Sequence, residues 1–327
     1  MLRREFIAGL GSAAAWPVVA RAQQPAMPVI GFIQAGSRDA TPAYYLSAFR
    51  AGLGEIGVVE GQNVTVEYHW IEGHYNDLPA LMADLVGRKV AVIATVASTP
   101  VTLAAKAATS SIPIVFGVGD DPVRMGLVAS INRPGGNATG VNFFNQEVVA
   151  KRLGLLHQLV PTAIRVAVVT FPANQNTTFV LKQLEDAASI LNLQLHVYKA
   201  GTIQEIDVAF EAMVRDHIGA LFVAPDTFLA SRRVQFATLA ARDRLPASYS
   251  GRADVQVGGL MSYGADISDT YRLAGTYVGR ILKGAHPAEL PVVQSTKFAL
   301  AINIGTARAL GIEVPSTLLA IADEVIE

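Results

Sequence analysis

The 327-residue sequence contains no cysteine. This absence excludes disulfide bonds, zinc sites built on thiolates and a cysteine nucleophile. It also excludes a lipid anchor on an N-terminal cysteine, so no lipid anchor is expected. Stability must come from a packed core, and apolar residues make up 51% of the chain, which is enough for a large core.

An excess of charge of one sign is also missing, because 26 basic residues face 27 acidic residues and the formal net charge is −1. Proteins that bind nucleic acid concentrate basic residues on one face, and no basic run follows the N-terminal segment. No later apolar run approaches the length of a membrane span. We therefore expect no nucleic-acid partner.

Common catalytic motifs are missing as well. Neither Gly-x-Ser-x-Gly nor Gly-x-x-x-x-Gly-Lys occurs. None of the six histidines lies at the His-x-x-x-His spacing of metal ligands. The sequence therefore predicts neither an enzyme, nor a metal site, nor a cofactor.

Residues 1–22 have the composition of an export signal. Two arginines at positions 3 and 4 precede an apolar run of about 15 residues, and Ala-Arg-Ala at 20–22 has the small residues of a cleavage site. Paired arginines followed by Phe6 and Ile7 indicate the twin-arginine type. We expect the signal to be removed and the mature protein to work in the periplasm.

Four short strand-like segments recur in the same order about 130 residues further along the chain. The pairs are 29–33 with 165–169, 64–68 with 194–198, 90–94 with 220–224, and 113–117 with 246–250. Helix-like stretches separate the segments in both copies. Strands that alternate with helices predict a parallel sheet covered on both faces, and two copies predict two such units.

The sequence therefore predicts an α/β fold of two doubly wound parallel-sheet lobes, joined by a hinge in which the chain crosses three times. One lobe is expected to comprise residues 28–143 plus about 264–298, and the other residues 144–263 plus about 299–327. The crossings are expected near residues 143, 263 and 300.

Ligands of open parallel sheets bind beyond the carboxyl ends of the strands, and small or polar residues follow several predicted strands. Two facing lobes would bring these ends together in one cleft. The predicted ligand-binding residues are Gln34, Ser98, Thr99, Asp120, Asn145, Asn174, Asp226, Tyr249 and Tyr263.

Two of these positions favour a zwitterionic ligand. Ser98 and Thr99 precede a predicted helix, whose N-terminal N–H groups favour an anion such as a carboxylate. Asp226 lies at the equivalent position of the second copy, where a carboxylate can accept a hydrogen bond from an ammonium group. Both positions are equally compatible with helix caps that bind no ligand.

Aromatic residues near the strand ends have two interpretations. Tyr249, Tyr263, Phe143 and Phe144 can pack against an apolar or aromatic ligand body. They can equally pack in the hinge and the core, where most aromatic residues lie.

Two segments carry a resemblance to a known family. The first runs from Asp-Asp-Pro at 120–122 through Gly-Leu-Val at 126–128 to Pro-Gly-Gly-Asn-Ala-Thr-Gly-Val at 134–141, and the second comprises 298–303, 306–311 and 322–326. Both resemble the family of ABC transporter substrate-binding proteins that includes tryptophan- and tyrosine-binding members. The resemblance covers essentially the whole mature chain.

The resemblance implies a type I periplasmic-binding-protein fold that closes on its ligand, and delivery of the ligand to an inner-membrane ABC permease with its ATPase. It also implies an amino acid as ligand, often an aromatic one. Ser98, Thr99, Asp120, Asn174 and Asp226 match ligand-holding positions of such folds by strand order. Many relatives carry a lipid-anchor cysteine, which this sequence lacks.

Three functions follow from these observations. The first is a solute-binding protein that performs no chemistry of its own. The second is an exported α/β enzyme that uses Asp120 or Asp226 as a base. The third is a ligand-sensing module for a receptor, which would share both the fold and the site with the first.

Overall fold

The computed structural model describes residues 27–39, 41–143, 148–174, 176–295 and 297–327. The predicted export signal, Phe144 and the predicted ligand-binding residue Asn145 lie outside these ranges. Within them, no helix combines the length and the apolar character that crossing a bilayer requires.

The first half of the chain builds a six-stranded sheet with helices on both faces, which we call lobe 1. Apolar strands such as Val92–Val96 are buried throughout, as expected for parallel strands covered on both sides. The elements are β1 (Val29–Gln34), α1 (Ala43–Glu55), β2 (Thr65–Trp70), a 3₁₀ turn (Tyr75–Asp77), α2 (Leu78–Gly87), β3 (Val92–Val96), α3 (Thr99–Ala108), β4 (Ile114–Val118) and β5 (Ala138–Asn142).

The second half repeats this arrangement in a seven-stranded sheet, which we call lobe 2. Its core is one continuous cluster of buried apolar residues. The elements are α4 (Val149–Leu159), β6 (Arg165–Thr170), α5 (Thr177–Leu191), β7 (Gln194–Lys199), α6 (Ile203–Arg215), β8 (Ala220–Val223), α7 (Thr227–Ser231), α8 (Arg233–Arg242), β9 (Ala247–Tyr249), α9 (Arg252–Gln256) and β10 (Met261–Ala265).

The remaining segment contributes to both sheets. The elements are α10 (Ile267–Leu282), a 3₁₀ turn (Pro287–Glu289), β11 (Val293–Gln294), β12 (Phe298–Asn303), α11 (Ile304–Leu310), α12 (Ser316–Ile321) and β13 (Glu324–Ile326). The sheet of lobe 1 has the order β11-β5-β4-β3-β1-β2, and that of lobe 2 has the order β13-β12-β10-β9-β8-β6-β7. The chain thus passes between the sheets after β5, after β10 and after β11.

Two strands of lobe 2 run against the direction of the others, because β12 pairs antiparallel with β10 and β13 pairs parallel with β12. The chain enters β12 directly from β11 of lobe 1, without the helix that precedes each other strand of lobe 2.

Helix α10 lies against α1 at very close range. An ideal Cβ on Gly52 of α1 would lie 1.8 Å from the carbonyl oxygen of Arg272, and one on Gly275 of α10 would lie 2.1 Å from that of Phe49. Two glycines therefore let the backbones of the two helices touch. The carboxylate of Asp266 starts α10 by accepting the backbone N–H of Ser268 at 3.0 Å.

Asn137 gives the Pro-Gly-Gly-Asn motif a structural role. Its side-chain amide donates to the carbonyl oxygens of Thr109 at 3.0 Å and of Ile112 at 2.8 Å, and its oxygen accepts from the Lys106 ammonium at 2.9 Å. Gly135 has a φ of +76°, a conformation that glycine adopts without strain. The motif thus fixes the segment that leads into β5.

Candidate functional site

The carboxyl ends of the two sheets face each other across a cleft, and the lobes touch in its middle. The hydroxyl of Thr227, after β8, donates to the carbonyl oxygen of Ala97, after β3, at 2.8 Å. Ala97 has a φ of +63°, a left-handed conformation that is uncommon for alanine. Backbone strain of this kind is typical of functional loops.

Two further contacts join the lobes on either side of this hydrogen bond. On one side, the guanidinium of Arg124, after β4, lies 4.4 Å from the ring centroid of Phe179 in α5. On the other side, the hydroxyl of Tyr44 in α1 lies 3.4 Å from the side-chain oxygen of Gln256 in α9. The ends of β4, β3 and β1 therefore face those of β6, β8 and β9 in the same order.

A cavity of about 390 Å³ lies between the lobes, within the size range of small-molecule sites. Residues of lobe 1, of lobe 2 and of the start of α10 line it. They are Tyr45, Tyr75, Ala97, Thr99, Pro100, Leu103, Gly119, Asp120, Met125, Phe143, Phe171, Ala173, Asn174, Asn176, Pro225, Asp226, Thr227, Ala230, Arg233, Ser250, Gly251, Ala253, Asp254 and Ile267.

Two carboxylates from opposite lobes face the same region of the cavity. Asp120 follows β4 and accepts a hydrogen bond from the Thr99 hydroxyl at 2.5 Å. Asp226 follows β8 in lobe 2. Removal from bulk water is the main cause that raises the pKa of Asp226 above its usual range, and the nearby negative charge of Asp120 raises it further.

Asp226 also holds its own loop. One carboxylate oxygen accepts the backbone N–H groups of Phe228 at 2.7 Å and Leu229 at 3.1 Å, so Asp226 caps α7. The other oxygen accepts the amide of Asn174 at 2.9 Å. The cap anticipated from the sequence is therefore present, and Asp226 lines the cavity as well.

Aromatic side chains form much of the remaining wall. Phe143 follows β5, Phe171 follows β6, and Tyr75 lies in the turn after β2. Burial, followed by the negative charge of Asp226, raises the pKa of Tyr75 to about 12. Tyr45, in α1, lines the cavity from lobe 1 and is stacked on Tyr271, with the two ring centroids 4.9 Å apart. The cavity thus combines apolar walls with a few charged groups, as small-molecule sites do.

A third carboxylate, that of Asp254 in α9, lies near two arginines, Arg233 and Arg152. The side chain is 6% exposed, and burial raises its pKa to about 7 although the positive charges of Arg233 and Arg152 oppose that rise. Arg233 lines the cavity beside it. Arg152 lies behind the wall, donates to the carbonyl oxygen of Val223 at 2.6 Å and is 1% exposed.

Of the nine residues predicted from the sequence, Thr99, Asp120, Asn174 and Asp226 line the cavity together. Gln34 does not line it, because its amide donates to the Tyr271 hydroxyl at 2.8 Å behind the wall. The remaining three that the structure describes, Ser98, Tyr249 and Tyr263, do not line it either.

The reason is burial in each of these three cases. Ser98 is 1% exposed, and its carbonyl oxygen accepts the hydroxyl of Thr102. Tyr249 is 1% exposed in the core of lobe 2. Tyr263 is stacked on Phe298 near the crossings of the chain, as its alternative interpretation of hinge packing anticipated.

Sequence reasoning did not identify Tyr45, Tyr75, Arg233 and Asp254. None of the four follows a strand directly, because they lie in helices or in a turn after the loop. No pattern in the sequence distinguishes Asp254, because polar residues Arg252 and Gln256 lie on either side of Ala253-Asp254-Val255.

The geometry can bind and orient a polar solute. Within the described part of the chain, no group of three or more histidine or acidic side chains is placed to hold a metal ion. The positions of the acidic groups, the single lining arginine among those residues and the aromatic walls together fit a small molecule with charged and apolar parts.

Comparison with known proteins places the chain among binding proteins. It is 27% identical over 268 residues to a tyrosine-binding protein of Clostridioides difficile, covering 81% of this chain and 76% of the relative. A conserved domain protein of Vibrio cholerae has a TM-score of 0.83 at 25% identity, over 91% of this chain and 99% of that one.

A domain of Streptococcus pneumonia solved in complex with L-Trp has a TM-score of 0.82 at 24% identity, with the same coverage of 91% and 99%. These likenesses confirm the α/β fold of two parallel-sheet lobes predicted from the sequence. The family model for ABC transporter substrate binding proteins matches residues 27–326, and this chain therefore belongs to that family.

Proposed function

We propose that the protein is the solute-binding component of an ABC importer and that it holds a zwitterionic amino acid, an aromatic one, between its lobes. The observation that carries the proposal is the pair of carboxylates, Asp120 from lobe 1 and Asp226 from lobe 2, that face one region of an aromatic-walled cavity.

The two carboxylates favour an ammonium group. Each repels the other, and this repulsion is part of what raises the pKa of Asp226. An ammonium group placed between them would replace the repulsion with two charge-assisted hydrogen bonds. Because one carboxylate belongs to each lobe, the ligand would also favour the closed arrangement of the lobes.

The carboxylate of the ligand has a site at the start of α3. This helix has ten residues, and Thr99, Pro100 and Leu103 of its first turns line the cavity. Its N-terminus carries a partial positive charge and N–H groups without intrahelical partners. An anion is stabilised there, within reach of the acidic pair because Thr99 contacts Asp120.

The apolar walls favour an aromatic side chain. Tyr45 and Ala253 line the cavity at the end away from Asp120, and a ring pair with Tyr45 would contribute about 0.5–1.5 kcal/mol beyond the area it buries. Two similar proteins support this proposal, since one is a tyrosine-binding protein and the other was solved in complex with L-Trp.

The proposal includes the partners and the compartment. An inner-membrane permease with its ATPase would receive the ligand, and residues 1–22 would direct the chain to the periplasm. Residues 28–143 with about 264–298, and 144–263 with about 299–327, would move as the two lobes around the three crossings.

The first test is to purify the protein, release its bound solute by denaturation and identify that solute by mass spectrometry. The second test is to titrate the refolded protein with each of the twenty amino acids in a calorimeter. We expect an aromatic amino acid to be recovered unchanged and to bind with a micromolar or lower Kd, which corresponds to about 8 kcal/mol or more. Heat from none of the twenty would contradict the amino-acid assignment. Recovery of a chemically altered solute would favour an enzyme.

A further inference from the structure

Arg233 and Asp254 line the end of the cavity opposite Asp120. In lobe 2, β6, β8 and β9 are neighbours in that order. Asn174 follows β6, Asp226 follows β8, and Asp254 lies in the helix after β9. Neighbouring strands are about 4.8 Å apart, so the ends of β6 and β9 are separated by roughly 10 Å.

The contacts between the lobes support the same order. Arg124 meets lobe 2 near the end of β6, whereas Tyr44 meets it at α9, the helix of Asp254. Tyr45, next to Tyr44, lines the Asp254 end: its pKa is raised mainly by burial, and the charge of Asp254 contributes to the rise. A ligand with its charged head at Asp120 and Asp226 would point its side chain towards Asp254.

Asp254 and Arg233 both line the cavity, and the positive charge of Arg233 acts on Asp254. Arg152 already provides a buried positive charge beside Asp254, from the side away from the cavity. Arg233 adds a second positive charge from the first turn of α8, and both Arg233 and Asp254 reach the cavity wall. The wall at this end therefore offers a hydrogen-bond donor and an acceptor side by side.

We infer that Arg233 and Asp254 determine ligand specificity by recognising a neutral hydrogen-bonding group on the side chain of an aromatic amino acid, namely a phenol hydroxyl or an indole N–H. The inference rests on the proposed function and adds the substrate class. A cationic side chain is disfavoured, because Arg233 and Arg152 already place two positive charges near Asp254.

Phenylalanine is disfavoured for a different reason. Its ring fills the same apolar space but offers no hydrogen bond to Arg233 or Asp254, whereas a phenol hydroxyl or an indole N–H does. A site built to hydrogen-bond a polar ligand group rejects the analogue that lacks the group, because the site's own polar groups lose partners. Tyrosine or tryptophan is therefore preferred.

The test is calorimetric titration of the full chain with L-tyrosine, L-tryptophan and L-phenylalanine. The variants are Arg233→Gln and Asp254→Asn, with Arg242→Gln as the matched control, because Arg242 lies at the other end of the same helix with its side chain 53% exposed. We expect the wild type and Arg242→Gln to bind tyrosine or tryptophan at least 10-fold more tightly than phenylalanine. In each test variant, the preference for tyrosine or tryptophan over phenylalanine should fall below about threefold, because tyrosine or tryptophan binds more weakly.

Two results would overturn the inference while leaving the proposed function intact. One is a wild type that binds phenylalanine as tightly as both polar ligands. The other is an equal loss of affinity for all three ligands in Arg233→Gln, which would assign Arg233 to the head group. Absence of binding to any of the twenty amino acids would remove the amino-acid assignment of the proposed function, and the inference with it. If Asp254→Asn fails to fold, Arg233→Gln decides the matter, because Arg233 is only partly buried.

Discussion

Replacing Thr227 by valine should weaken ligand binding by destabilising the closed arrangement. The Thr227 hydroxyl donates to the carbonyl oxygen of Ala97 at 2.8 Å, and this is a direct hydrogen bond between the lobes. Valine has nearly the same shape as threonine but cannot donate. In the closed protein, the variant therefore leaves the Ala97 oxygen without this donor.

The size of the effect follows from the type of bond. A hydrogen bond between neutral groups contributes about 0.5–1.5 kcal/mol net. The bond is part-buried, so water compensates for some of the loss, and we take about 1 kcal/mol. Because ligand binding and closure are coupled, this loss appears as a Kd for tyrosine or tryptophan raised about fivefold.

The assay is calorimetric titration of the wild type and Thr227→Val with these ligands, together with thermal unfolding of the ligand-free proteins. Thr306→Val is the matched control, because the Thr306 hydroxyl donates to the carbonyl oxygen of Gly258 at 3.0 Å within lobe 2. The control should lower the unfolding temperature without changing Kd. An unchanged Kd in Thr227→Val, or an equal rise in the control, would refute the reasoning.

Three further predictions concern stability and are measured by urea unfolding. Gly52→Ala should lower the free energy of unfolding by at least about 2 kcal/mol through overpacking against Arg272. The control, Gly54→Ala, lies on the same helix with no atom within 4 Å of its ideal Cβ, and it should raise the free energy of unfolding by about 0.5–1 kcal/mol. Equal effects of the two substitutions would contradict the close packing. Asn137→Ala should cost about 2–3 kcal/mol by leaving buried carbonyl oxygens without donors, with the Kd unchanged; a shifted Kd would assign the motif to the site. Burial raises the pKa of Asp254 to about 7, so the folded state keeps a proton that the unfolded chain releases near pH 4. Its contribution to the free energy of unfolding therefore falls between about pH 4 and 7, by up to about 1.4 kcal/mol per pH unit, and an Asp254→Asn variant that kept the wild-type slope would contradict this origin.

The fold could be predicted because buried parallel strands have a simple sequence pattern. Segments such as 92–96 and 114–118 are mostly apolar and buried throughout, and the recurrence of such segments predicted the second sheet. The reversed direction of β12 could not be predicted, because it depends on where the chain lies when it leaves β11 rather than on the residues of β12.

The site could be predicted only where a polar residue lies within about four residues of the carboxyl end of a strand. Thr99, Asp120, Asn174 and Asp226 satisfy that condition, and the structure brings them together. Tyr249 ends a strand as well, yet its ring points into lobe 2, because strand residues alternate between faces. Arg233 could not be found in this way, since helix α7 separates it from the nearest strand.

The contact between α1 and α10 has a consequence for how the cleft opens. Tyr45 is carried by α1 and Ile267 by α10, and both line the cavity. Because the two backbones touch at Gly52 and Gly275, neither helix can slide or turn against the other without a collision. If the lobes separate to release a ligand, Tyr45 and Ile267 would therefore move away from it together, with α1 and α10 acting as one rigid unit.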